Sequence, residues 1–113
     1  MDRSAASVRI GAHCVTPVEH LASISADSAS AFQALRKSVM AAGPLDHTTC
    51  ELVVVATMAV TGAEVSFKVH ARRLLREGVD LAAMRHAVLV TMAASTTFSQ
   101  VSAALRWLDE AAV

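Results

Sequence analysis

Residues 43–84 read GPLDHTTCELVVVATMAVTGAEVSFKVHARRLLREGVDLAAM, and their punctuation decides the fold. Gly43-Pro44 stops one helix, with glycine expected to supply a left-handed cap and proline unable to continue the turn. Asp46 or Thr48 then caps the next helix, and Thr48 with Glu51 three residues on has the capping-box pattern, a purely local role for that carboxylate. Leu52–Val60, LVVVATMAV, has almost no polar face, so this helix calls for burial on all sides. A further helix runs from about Gly62 to Glu77 and is stopped by Gly78. Asp80 caps its successor, expected over Leu81 to about Ala94.

Outward from this segment the same signals recur. Thr16-Pro17-Val18-Glu19 is a helix start, with Thr16 as cap and Glu19 reaching back, and predicts a short helix from Pro17 to about Ser23. From Asp27 the residues Ala31, Phe32, Leu35, Val39 and Met40 give an amphipathic face up to Gly43. Ser95-Thr96-Thr97 breaks the pattern before a last helix, Phe98 to about Ala111, carrying Val101, Leu105 and Leu108. No strand-like alternation, repeat or interdomain linker interrupts the series. The expectation is one all-α domain over residues 1–113, with residues 1–25 an N-terminal extension that holds the short helix.

A chain of 113 residues with 54% hydrophobic composition carries more apolar surface than one small core covers, which points to a homo-oligomer. A membrane reading fails on length, because Leu52–Ala63 falls short of the roughly 20 apolar residues that span a bilayer. Ten basic residues balance ten acidic ones, with no Tyr, one Trp and three Phe, so neither a basic footprint nor an aromatic platform for nucleic acid is present. MDRSAASVRIGAHC lacks a continuous apolar leader segment, and the expected location is cytoplasmic. Cys14 and Cys50 have no metal-like or redox-like spacing and read as reduced, half-buried thiols. No metal or cofactor is expected.

The chemistry concentrates on one helical stripe. Ala63, Ser66 and His70 share a meridian, beside Phe67, Ala71 and Leu74, so His70 stands at the border of an apolar face. Taken alone, it is either a satisfied border residue or a proton-transfer group set by burial and a carboxylate partner.

The quoted run resembles the carboxymuconolactone decarboxylase and alkylhydroperoxidase D family. Glu51-Leu52 matches the Glu-Leu pair that opens the family's apolar helix, His70 matches its histidine and Gly78 its closing glycine. The resemblance implies an alkylhydroperoxidase D-like helical domain that assembles as homotrimers or homohexamers. It also implies what is missing, since Ala63 and Ser66 stand where the redox branch carries Cys-x-x-Cys, and Val65 where that branch often has a second histidine. A peroxidase of that type needs a reactive thiolate, which neither residue provides.

What the resemblance leaves is the pair of the decarboxylase branch, which works without those cysteines on a small lactone acid. His70 would shuttle the proton and Glu51 would orient the imidazole. Ser66 and Arg72 are the candidate substrate-binding groups, with Lys68, Arg72 and Arg76 forming a cationic stripe beside Arg73 that suits a carboxylate, although such a stripe is more often a solvated face or a subunit contact. The alternatives are a non-catalytic oligomeric scaffold or ligand-binding protein of the same fold, and residual peroxide chemistry at Cys50.

Overall fold

The structure, a computed structural model, describes residues 9–10 and 13–113, and side chains from Val15 onward. The expected leader-free N-terminus lies mostly outside the described residues, as does the side chain of Cys14. The chain forms two compact units, Met1–Gly43 and Pro44–Val113. Among the described residues six α-helices dominate, and the fold class is all-α.

In the first unit, β1 (Arg9–Ile10) and β2 (His13–Cys14) form a minimal antiparallel pair, too short to leave a periodic signal. Helix α1 (Pro17–Ile24) starts with the expected capping box: Glu19 N–H donates to Thr16 Oγ1 and Thr16 N–H to Glu19 Oε1. Ser25 ends α1 and its hydroxyl caps α2 (Ala26–Met40), so the two helices share one residue as a corner and pack on each other. Helix α2 stops at Met40 through Ala41, and Gly43 takes no left-handed conformation, contrary to the sequence expectation. Only Ala29 of α2 is buried, and the apolar face of Phe32, Leu35 and Val39 is exposed.

The second unit packs α3 (His47–Thr61), α4 (Glu64–Arg76), α5 (Leu81–Val90) and α6 (Phe98–Ala111). Helix α3 contacts the other three, and α4 and α5 both contact α6. The core is one cluster that includes Val55, Phe67, Leu74, Met84, Val88, Val101 and Leu108. Phe67 meets Trp107 edge to face with ring centroids 5.5 Å apart. A fully buried side chain of this kind contributes about 2 to 3 kcal/mol by removal from water.

Local chemistry sets the helix ends that place the site. Asp46, rather than Thr48, caps α3 by accepting from Thr49 N–H. Glu51 is therefore not a capping-box partner but lies on the buried stripe of α3 with Val55 and Ala59. Gly62 adopts φ 75°, a left-handed cap for α3 that lets the chain turn directly into α4. Gly78, at φ 91°, ends the α4 segment as expected. Helix α5 is shorter than its pattern suggests: the Thr91 hydroxyl donates to the Val88 carbonyl and bonds Thr96, and Ala93 turns left-handed at φ 65°. Burial of α3 is also narrower than expected, since Val53 is 51% exposed while Val55 is fully buried. Among the described residues no helix is long and apolar enough to cross a membrane.

Candidate functional site

Two helical stripes carry the site. On α3, His47 and Glu51 lie one turn apart, and on α4 His70 and Arg73 are followed by Glu77 at the helix C-cap, at steps of three and four. Packing of α3 on α4 brings the stripes together at one edge of the core. The side chains grade outward: Glu51 is 4% exposed, His70 17%, Arg73 37% and His47 61%.

Arg73 stands at the centre of the contacts. Its Nη2 lies 2.5 Å from Glu51 Oε2 and 2.9 Å from His70 Nδ1. Its Nε is 3.9 Å from Glu77 Oε2. Glu51 Oε1 lies 3.4 Å from His70 Nδ1 and, among the described residues, has no hydrogen-bond partner. An ionised oxygen left so in the interior is destabilising by about 1 to 3 kcal/mol or more. His47 Nε2 completes the outer layer, 3.7 Å from Glu51 Oε2 and 3.5 Å from Glu77 Oε1. The arrangement can hold one buried negative charge against a guanidinium and move a proton on an imidazole beside it.

The sequence-predicted residues divide. Glu51 and His70 come together as expected, although the guanidinium of Arg73 shares the interaction. Ser66 is half-buried one turn earlier on α4. Arg72 is exposed, a rotation of about 100° along the helix from Arg73. Lys68 is engaged elsewhere, bonding Glu64 at 2.9 Å and Glu110 of α6 at 2.6 Å. The Glu110 contact, followed by that to Glu64, holds the Lys68 ammonium above the usual lysine range. The expected cationic stripe is thus broken, with its first member tying α4 to α6.

Arg73, His47 and Glu77 were not expected in the site. Their signal was present in the spacing: His47 precedes Glu51 by four residues, and Arg73 and Glu77 follow His70 by three and seven. On the other flank, Ala63 is the residue preceding α4 and Ser66 lies in its first turn, where a thiol would gain from the helix N-terminus. Cys50 is half-buried beside Glu51 in sequence, its Sγ 3.7 Å from the Leu45 carbonyl. Among the described residues no group of three or more His, Cys, Asp or Glu is arranged to hold a metal ion.

A model of the carboxymuconolactone decarboxylase family matches residues 26–110. Comparison with curated proteins and with solved structures finds no match.

Proposed function

We propose that this chain, which belongs to the carboxymuconolactone decarboxylase family, is a cofactor-free acid-base enzyme of lyase or isomerase type acting on a small organic acid or lactone. The observation that carries the reading is Glu51, a carboxylate 4% exposed whose two oxygens meet Arg73 and His70. A buried ionic cluster at the edge of an apolar core is rarely the most stable filling for that space, so its presence favours a chemical role.

In the proposed reaction His70 exchanges a proton with a carbon or oxygen next to a carbonyl, and Glu51 positions the imidazole through Arg73. In a decarboxylation the bond to the carboxylate carbon breaks and its electron pair stays on the substrate as an enolate. A proton then replaces the lost carbon dioxide. Ser66, one turn along α4, and Arg72, on its exposed flank, keep their proposed part in holding the substrate at the periphery of this cluster. The test is turnover of a panel of small lactone acids and unsaturated or carbonyl acids. His70→Ala should lower it by at least about 100-fold. Unchanged turnover in that variant sinks the assignment.

The same proposal includes a cytoplasmic homotrimer or homohexamer. Its support is apolar surface left open on one chain, with Phe98 74%, Leu35 58% and Val90 64% exposed. A stable monomer in native mass measurement contradicts it.

A second reading, an oligomeric scaffold or ligand-binding protein without catalysis, is favoured by one feature. Arg73 already engages both Glu51 and His70, as a purely structural pair of helices would require. Full conservation of oligomer and fold in His70→Ala, with no substrate turned over by either protein, supports it.

A further inference from the structure

We propose that Arg73 is a positioning residue that fixes the tautomer of His70, holding the neutral ring with its proton on Nε2. For its catalytic meaning the inference rests on the acid-base reading above, but the geometry that carries it does not.

Two groups compete for one nitrogen. His70 Nδ1 is 2.9 Å from Arg73 Nη2 and 3.4 Å from Glu51 Oε1. A guanidinium keeps its protons at any ordinary pH and can only donate. The shorter contact is therefore Arg73 N–H to the Nδ1 lone pair, and a nitrogen that accepts there carries no proton. With Nδ1 bare, the proton of the neutral ring lies on Nε2. The shorter contact cannot coexist with donation from an Nδ1–H to Glu51, and the unsatisfied state of Glu51 Oε1 is its counterpart. One assignment covers these three contacts: Arg73 donates to Oε2 and to Nδ1, and Oε1 is left without a hydrogen bond.

The consequence reverses the simple expectation for a carboxylate beside a histidine. A direct Glu51–His70 pair would place the proton on Nδ1 and leave Nε2 a base. With Arg73 interposed, Nε2 presents a donor, suited to a carbonyl or enolate oxygen rather than to removing a proton from carbon. Glu51 Oε1 supplies the other state. When the guanidinium moves off Nδ1, that oxygen is placed to accept from Nδ1–H, and Nε2 becomes the acceptor. A substrate carboxylate that draws Arg73 toward itself would make that exchange, linking substrate charge to the basicity of the ring. The ionisable groups of the cluster besides His70 are His47 and Glu51 on α3, Arg73 on α4 and Glu77 just past its end.

The test is nitrogen-15 NMR of histidine-labelled protein without substrate, with the His70 signals assigned by their loss in His70→Gln. The neutral ring should show a pyridine-like Nδ1 and a pyrrole-like Nε2. In Arg73→Met, which keeps the stem and removes the donor, the pattern should invert toward Nδ1–H. Arg73→Lys, which retains a charged donor, tests the assignment in a milder variant and should preserve the wild-type pattern at least in part. An Nδ1–H tautomer in the wild-type protein overturns the proposal, as does a pattern indifferent to Arg73→Met in a protein that keeps its helical spectrum. Because the spectrum is read on free protein, it stands apart from whether any acid or lactone is turned over.

Discussion

Arg73 on α4 and Glu51 on α3 are joined by a guanidinium-carboxylate contact of 2.5 Å, with the carboxylate 4% and the guanidinium 37% exposed. The pair locks two helices at the point where His70 also sits. Removing either member alone leaves the other uncompensated, though unequally, because Arg73 reaches solvent and Glu51 does not.

Arg73→Met should destabilise the protein by about 3 kcal/mol, the low end for breaking a buried ion pair given the exposure of the arginine. Glu51→Gln should be milder, and the double variant should recover part of the loss. Denaturant unfolding of the three variants measures the coupling, expected at about 1 to 3 kcal/mol. Strict additivity contradicts a direct interaction.

Phe67→Ala removes a fully buried ring and its edge-to-face contact with Trp107. The expected loss is about 3 to 5 kcal/mol, read as a fall in the unfolding midpoint. A loss below about 1 kcal/mol would place Phe67 outside a well-packed core.

Lys68 carries a pH signature. Its folded-state pKa is raised above the ordinary 10.5, first by Glu110 and then by Glu64. The linked stability is therefore complete below the ordinary lysine value and is lost as pH rises through the raised one. Lys68→Met should lag the wild type by a constant margin near neutrality, and the margin should close only on the alkaline side. A margin unchanged into strong alkali assigns the lysine a packing role instead.

Asp46 gives the opposite sign. The Thr49 backbone hydrogen bond holds its carboxyl below the ordinary 3.8, so the linked stability is present above that value and disappears as pH falls through the lowered one. Asp46→Ala should lose helix stability at neutral pH, and thermal melts of the two proteins should converge in strong acid. Thr48→Ala should leave the melt nearly unchanged, since the threonine does not cap the helix.

The fold was legible wherever local chemistry ends a helix. Thr16 with Glu19, Asp80, Gly78 and the start of α6 at Phe98 are all readable without tertiary information, because each rests on neighbours within four residues. The errors lie where a competing local bond intervened. Thr91 used its hydroxyl to end α5 before the apolar pattern ran out, and Ala41 closed α2 before Gly43 was reached. For the site, Glu51 and His70 could be found from spacing. Arg73 could not be ranked above Arg72, because both flank the same histidine and only the packing of α3 selects the one three residues on. His47 and Glu77 depend still more on that packing, since they meet across two helices.

The central claim is that His70 exchanges protons with a small carbonyl or lactone acid. Its most direct measurement is deuterium incorporation beside the carbonyl of such acids in heavy water, followed by proton NMR with wild type and His70→Gln at equal concentration. The account predicts exchange or turnover at least about 100-fold faster with the wild type. Equal rates in the two proteins across the panel contradict it.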